Sequence, residues 1–268
     1  NLCKKHYIFK SEEIFLDNSS CDSNMGILRW LKTMYPEHYR NSFNRAHIEV
    51  YLALLRLYDP RYINKQHRLR ALIAFRGFAK SKIIFGVISY LLAHNGMKMK
   101  IKSEDGKIFE VEIKERYIVI FSETYTMAEE FVSNIRDEFT SNLNLRYFYK
   151  YSIEDAIYDI TGQWTKRAFK INNCYVVGLG AKQQARGKVR GAYRPTFAFF
   201  DDIYSENNTI TAESRQSIKK WFYNSAINSV DDLLGKVFLV GTIINEDTVL
   251  VECERSSSWK TMKYVPIE

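Results

Sequence analysis

Residues 71–82 read ALIAFRGFAKSK. The stretch opens as an apolar strand, turns at Arg76-Gly77, and enters a helix whose pattern continues as KIIFGVISYLL. At such a junction, successive backbone N–H groups point at one spot and favour an anion there. The usual phosphate-binding form is G-x-x-x-x-G-K-[ST], in which the lysine supplies charge and the hydroxyl meets Mg²⁺. Here Ala74 and Ala79 stand in the two glycine positions, while Lys80 and Ser81 are kept. Gly77 supplies backbone freedom, but Ala79 must take up a conformation that glycine reaches more easily. Taken alone, the octapeptide reads equally as a basic strand–helix turn carrying a chance Lys-Ser.

Working outward, five apolar runs share the character of the first: LRALIAF, RYIVIFS, CYVVGL, TFAFFDD and KVFLVGT. Near-continuous apolar content is how strands buried on both faces of a parallel sheet read. Helical segments separate them, so an α/β fold with a mainly parallel sheet flanked by helices is expected. TYTMAEEFVSNIRDEF places Ala128, Phe131, Val132, Ile135 and Phe139 on one stripe, with Thr126 and Glu129 as a possible capping box. ESRQSIKKWFYNSAINSV aligns Ile218, Trp221, Phe222 and Ser225. MKMKIKSEDGKIFEVEIK (97–114) alternates strictly around EDG and reads as a hairpin insertion with a lysine-rich face. Residues 1–60 are expected to form a helical cap, with a polar loop at DNSSCDSNM and a helix ending at Asp59-Pro60. Residues 61–268 form the expected core.

Three further pieces carry chemistry. TFAFFDDIYSE is an apolar strand ending in Asp201 and Asp202. In phosphate-loop enzymes the first such acid stands near Mg²⁺ and the next can polarise the attacking water. In KVFLVGTII the strand ends in Gly241-Thr242, where a hydroxyl can sense a terminal phosphate; an ordinary core strand with a turn reads the same way. ARGKVRGAYRP holds Arg186, Lys188, Arg190 and Arg194, which suit a transferring phosphoryl group, DNA phosphate, or simply solvent. The full strand RYIVIFSET between the loop and the acids points to the additional-strand, RecA-like class of P-loop NTPases.

The net charge of +8 favours an acidic partner such as nucleic acid. The four cysteines (3, 21, 174, 253) have no C-x-x-C spacing and read as reduced thiols; the five histidines form no H-x-x-x-H pair, so no protein-only metal site is evident. Neither a leader peptide nor a membrane anchor is expected.

In their order along the chain, these pieces resemble the large terminase subunits of tailed bacteriophages, the motors that package DNA into procapsids, although the 97–114 hairpin is longer than that family's usual link before the second strand. RAHIEVYLALL matches the helix before the core, and ALIAFRGFAKSK matches a deviant Walker A loop. YIVIFSETYTMAEEFVSNIRDEF matches the second strand and helix, VRGAYRPTFAFFDDIYSENN the Walker B block, and GKVFLVGTIINEDT the coupling motif. The resemblance covers roughly residues 42–268.

It implies an ATPase using ATP and Mg²⁺. The loop residues Arg76, Gly77, Phe78, Ala79, Lys80, Ser81 and Lys82 would hold the nucleotide together with Thr242. Ser81 and Asp201 would hold the metal. Asp202 would activate water, with Glu206 as the fallback, because many family members carry Glu at the position of Asp202. Arg76 and Arg190 would be the arginine fingers, within and between subunits. Implied partners are double-stranded DNA without sequence preference, the portal protein, the small terminase subunit, and further copies of the chain in a ring on the portal, with a monomer in isolation. The implied location is the host cytoplasm and, transiently, the portal vertex, not the mature virion. WKTMKYVPIE would lead out of the ATPase domain toward a nuclease domain lying outside this chain. Two alternatives stay open: another nucleic-acid translocase or helicase-type ATPase, and a P-loop scaffold that has lost hydrolysis.

Overall fold

The computed structural model describes residues 15–19, 26–62, 65–149, 164–183 and 193–266. In chain order the strands are β1 (Asp17–Asn18), β2 (Leu69–Ala74), β3 (Lys98–Lys102), β4 (Ile108–Glu112), β5 (Tyr117–Ser122), β6 (Ala168–Ile171), β7 (Cys174–Gly180), β8 (Phe197–Asp201), β9 (Lys236–Gly241) and β10 (Lys260–Tyr264). The α-helices of six or more residues are α1 (Gly26–Met34), α2 (Arg45–Leu55), α3 (Lys80–Ala93), α4 (Tyr125–Ser141), α5 (Leu143–Phe148), α6 (Ala212–Trp221) and α7 (Val249–Arg255).

Seven strands form one sheet in the order β10-β2-β9-β8-β5-β7-β6. Every ladder is parallel except β6 on β7. The chain is therefore α/β, with a mostly parallel sheet between helices. All five apolar runs are strands, and β2, β5, β8 and β9 are buried at every position. Alternate side chains serve opposite faces. Leu72, Ile120, Phe199 and Phe238 join the cluster under α1–α4, whereas Ile73, Phe121, Phe200 and Leu239 join the cluster under α6 and α7. On the second face Phe121 stacks on Phe200 (4.7 Å), and Trp221 of α6 meets Phe121 edge-on (5.3 Å). Burying one such ring contributes roughly 2 kcal/mol.

The N-terminal helices belong to the same core. Trp30 of α1 packs edge-on against Tyr90 of α3 (5.4 Å) and donates its indole N–H to the Tyr149 hydroxyl (2.9 Å). That hydroxyl donates to His94 Nε2 (2.7 Å), and His94 Nδ1 donates to the Tyr90 carbonyl (2.8 Å). Burial depresses the His94 pKa to about 4, so the imidazole is neutral and can accept.

Several expectations need correction. The residue capping α4 is Thr124, whose hydroxyl accepts the Met127 N–H, and not Thr126 in a capping box. KTMKY was read as a connector and is the edge strand β10. Asp17–Asn18, within the expected polar loop, pairs in parallel with β3. The 97–114 hairpin forms as expected, but its lysines face acids: Lys98 bridges to Glu110 (3.0 Å) and Lys114 to Glu112 (2.7 Å). The strand lying between β2 and β8 in space is β9, not the β5 that lies between them in sequence.

A buried ion pair fixes the edge of the sheet opposite the loop. Lys236, at the start of β9, donates to Glu115 (2.7 Å), and Tyr58 and Thr196 also donate to that carboxylate. Both charged side chains are buried. Breaking one partner of such a pair leaves the other uncompensated. Lys236→Met is expected to cost roughly 3–5 kcal/mol in urea melts at pH 7. Adding Glu115→Gln should recover part of that loss, and independent additive losses in the double-mutant cycle would contradict the coupling.

Candidate functional site

The site forms where β2, β9 and β8 end side by side. β2 runs out at Ala74, and the chain turns through Phe75–Ala79 into α3. Two residues make that turn with left-handed backbone: Gly77 (φ 91°) and Ala79 (φ 63°). Ala79 thus pays the conformational cost its side chain implies, of order 1–2 kcal/mol. Phe78 anchors the turn from below. Its ring is buried, stacks on Tyr264 of β10 (5.1 Å) and meets His47 of α2 (4.9 Å). His47 Nε2 also donates to the Phe78 carbonyl (3.1 Å). The loop returns one N–H to itself, from Phe78 to the Phe75 carbonyl (3.3 Å). Among the described residues, the N–H groups of Gly77, Ala79, Lys80 and Ser81 meet no acceptor. They are the free donors that an anion at a helix N-terminus requires.

Lys80 points back under this turn. Its ammonium is buried and donates to Thr242 Oγ1 (2.8 Å), with the Ala74 and Phe75 carbonyls at 3.5 and 3.4 Å and Asp202 at 3.6 Å. Thr242 in turn donates to the Ala74 carbonyl (2.9 Å). One lysine thus ties together the ends of all three strands. Gly241 makes room for this: a Cβ there would meet Leu250 at 2.6 Å and Asp202 at 3.3 Å.

The two aspartates differ in setting. Asp201 ends β8, is buried, and keeps one carboxylate oxygen without a hydrogen-bond partner. Burial raises its pKa to about 6, with the Ser81 hydroxyl pulling the other way. Asp202 is half-buried and held at φ 44°, a strained value for a non-glycine residue. Its pKa is raised by burial and opposed by Lys80.

In front of these groups opens a cleft of about 340 Å³, lined among others by Arg76, Asp202, Thr242, Glu206 and Glu123. Arg76 and Glu206 pair with each other at its rim, both well exposed. Lys82 does not join the site; its ammonium donates to the His38 carbonyl (2.6 Å). Phe78 anchors the turn and does not offer a donor to the site: its ring is committed to packing and its N–H to the Phe75 carbonyl. Arg190, with Arg186 and Lys188, lies outside the described residues; Arg194 pairs with Asp232 (3.6 Å). The sequence reading passed over Glu123. Its signal was a carboxylate directly after an apolar parallel strand, at the carboxyl edge where open α/β sheets bind ligands.

A phosphate with a divalent ion fits these groups. The loop offers free N–H donors and a buried ammonium, and the unpartnered Asp201 oxygen beside the Ser81 hydroxyl offers a hard oxygen site. Among the described residues no group of three or more His, Cys, Asp or Glu side chains is placed to hold a metal alone. No helix among them is long and apolar enough to cross a membrane. No protein-family model and no curated protein sequence matches the chain.

The buried Asp201 carboxylate carries a stability cost with a defined pH window. Its folded pKa of about 6 exceeds the ordinary 3.8, so the folded state keeps this proton after the unfolded state has lost it. Stability falls as pH rises from about 4 to 6, and the full penalty stands above 6. Without nucleotide or divalent ions, Asp201→Asn should therefore raise stability at pH 7.5 by on the order of 2–3 kcal/mol. Thermal melts at pH 4 should show the gain gone; a gain equal at both pH values would contradict this origin.

Proposed function

We propose that the chain is a P-loop ATPase of the additional-strand, RecA-like class, and that it serves as the motor domain of a DNA-packaging machine. The observation that carries the first part is the convergence of the free-donor turn, the buried Lys80 and the Asp201–Ser81 pair at the N-terminus of α3. The place of β9, between the loop strand and the acid strand, supports the same class. The second part is supported by the order of motifs along the chain and by the net charge of +8.

In this reading, the N–H groups of Gly77, Ala79, Lys80 and Ser81 wrap the phosphates and Lys80 turns from Thr242 toward them. Ser81 and Asp201 hold Mg²⁺, which neutralises phosphate charge when bound. Arg76 leaves Glu206 for the terminal phosphate, at little cost, because an exposed ion pair contributes only about 0–1 kcal/mol. Thr242, bonded to both Lys80 and the β2 end, feels the change and can pass it to β9. Double-stranded DNA, a portal, a small subunit and neighbouring copies are the proposed partners. The hairpin lysines make a weak DNA surface here, since Glu110 and Glu112 offset them.

A hydrolysis-deficient scaffold is the second reading, favoured by Ala79 in the loop and by Asp202 engaged with Lys80. Turnover separates the two. The motor reading expects Mg²⁺-dependent ATP hydrolysis stimulated by double-stranded DNA. It expects Lys80→Ala to lose at least about 10²-fold in rate, the scale for removing one transition-state contact. DNA binding should ignore sequence and weaken steeply with salt, because affinity comes from released counterions. Wild-type turnover in Lys80→Ala would remove the loop assignment, and binding that ignores salt would remove the DNA assignment.

A further inference from the structure

Three carboxylates line the cleft, Glu123, Asp202 and Glu206, with a fourth, Asp201, nearby in the chain, and they are not equivalent. Asp201 sits behind the others, buried against Ser81. Asp202 lies 3.6 Å from the Lys80 ammonium. Glu206 is at the rim, exposed and paired with Arg76. Glu123 differs from all three. It follows β5, whose last residue, Ser122, stands in register with Asp201 on β8. Glu123 therefore leaves the sheet one strand over from Asp202 and enters the same cleft. Its carboxylate accepts a hydrogen bond from the Ser205 hydroxyl through Oε1. Among the described residues no lysine, arginine or histidine pairs with it, and its second oxygen has no donor.

This distinction decides which carboxylate has an oxygen to offer. Asp202 faces the Lys80 ammonium, and Glu206 is turned to Arg76 at the rim. Glu123 is half-buried, anchored through one oxygen by a neutral group, and has the other oxygen to offer.

We propose that Glu123 is the catalytic base of this site, accepting the proton of the water that attacks the nucleotide. The proposal rests on the nucleotide-hydrolysis reading above. In the step, the water oxygen bonds to the terminal phosphorus while the bond from that phosphorus to the bridging oxygen breaks. The diphosphate departs with that electron pair, and the water proton passes to the free Glu123 oxygen. Asp202 positions Lys80, and Ser205, on the segment following the acid strand, positions Glu123.

The test compares Glu123→Gln with wild type, measuring binding of a fluorescent ATP analogue and Mg²⁺-dependent ATP turnover. Glutamine keeps the acceptor for Ser205 and removes the basicity. Nucleotide affinity should stay within about threefold, while kcat falls by about 10²–10⁴, the range for losing a general base. Formate should restore part of the turnover of Glu123→Ala, an effect that a packing role would not produce. Ser205→Ala should lower kcat by about tenfold, the scale of one hydrogen bond to a charged group, with affinity kept. Glu123→Gln turning over within about threefold of wild type overturns this proposal alone. A wild type that turns over no nucleoside triphosphate overturns the hydrolase reading together with it.

Discussion

The buried ammonium of Lys80 is the contact on which the site depends. Removing a charge from water is costly unless polar groups meet it. Here the acceptors come from three strand ends at once: the Ala74 carbonyl of β2, Thr242 after β9 and Asp202 after β8. A slip of any one strand by a residue would turn the relevant group away. The same central strand, β9, begins at Lys236, whose ammonium is held by Glu115. Two buried cations thus pin β9 at both ends. Its interior, Val237–Val240, is wholly apolar and buried and sets no register of its own by polar contact. Electrostatics fixes the alignment that hydrophobic packing leaves undetermined.

The sheet was legible in the sequence because its inner strands are covered on both faces. That condition writes β2, β5, β7, β8 and β9 as apolar runs. Strands without that cover left no such mark. KTMKY sets two exposed lysines among half-buried positions along an edge, and AFKI is a four-residue antiparallel edge strand. The charge balance of the hairpin was hidden for another reason. Lysines in β3 and glutamates in β4 are each visible in sequence, but only the register sets Lys100 against Glu110 and Lys98 against Glu112. Of the site, Lys80, Ser81, Asp201 and Thr242 were legible from motif spacing, and the structure brings them together. Lys82, next in line, points the other way, since helical rotation turns consecutive residues apart. Glu123 acquires meaning only once β5 lies beside β8.

The arrangement also holds tension. Ala79 and Asp202 are both non-glycine residues with left-handed backbone, one at each side of Lys80. Next to Asp202 in the chain, Asp201 is a buried acid with an unpartnered oxygen. Each feature costs free energy in the bare protein, and such costs concentrate where a partner later relieves them. The large apolar core on both sheet faces supplies the rigidity that keeps these residues in place.

The clamp on Phe78 reaches beyond chemistry. Its ring is held between Tyr264 of the edge strand and His47 of α2, and Tyr264 in turn donates to Glu49 on that helix. Loop, edge strand and helix are therefore tied into one linkage. Because β10 advances about 3.3 Å per residue, sliding it by a single step would carry Tyr264 off the ring. A tug along that strand is in this sense a tug on the loop, and a loop that changes shape pushes back on the strand: force and turn geometry are two readings of the same coordinate.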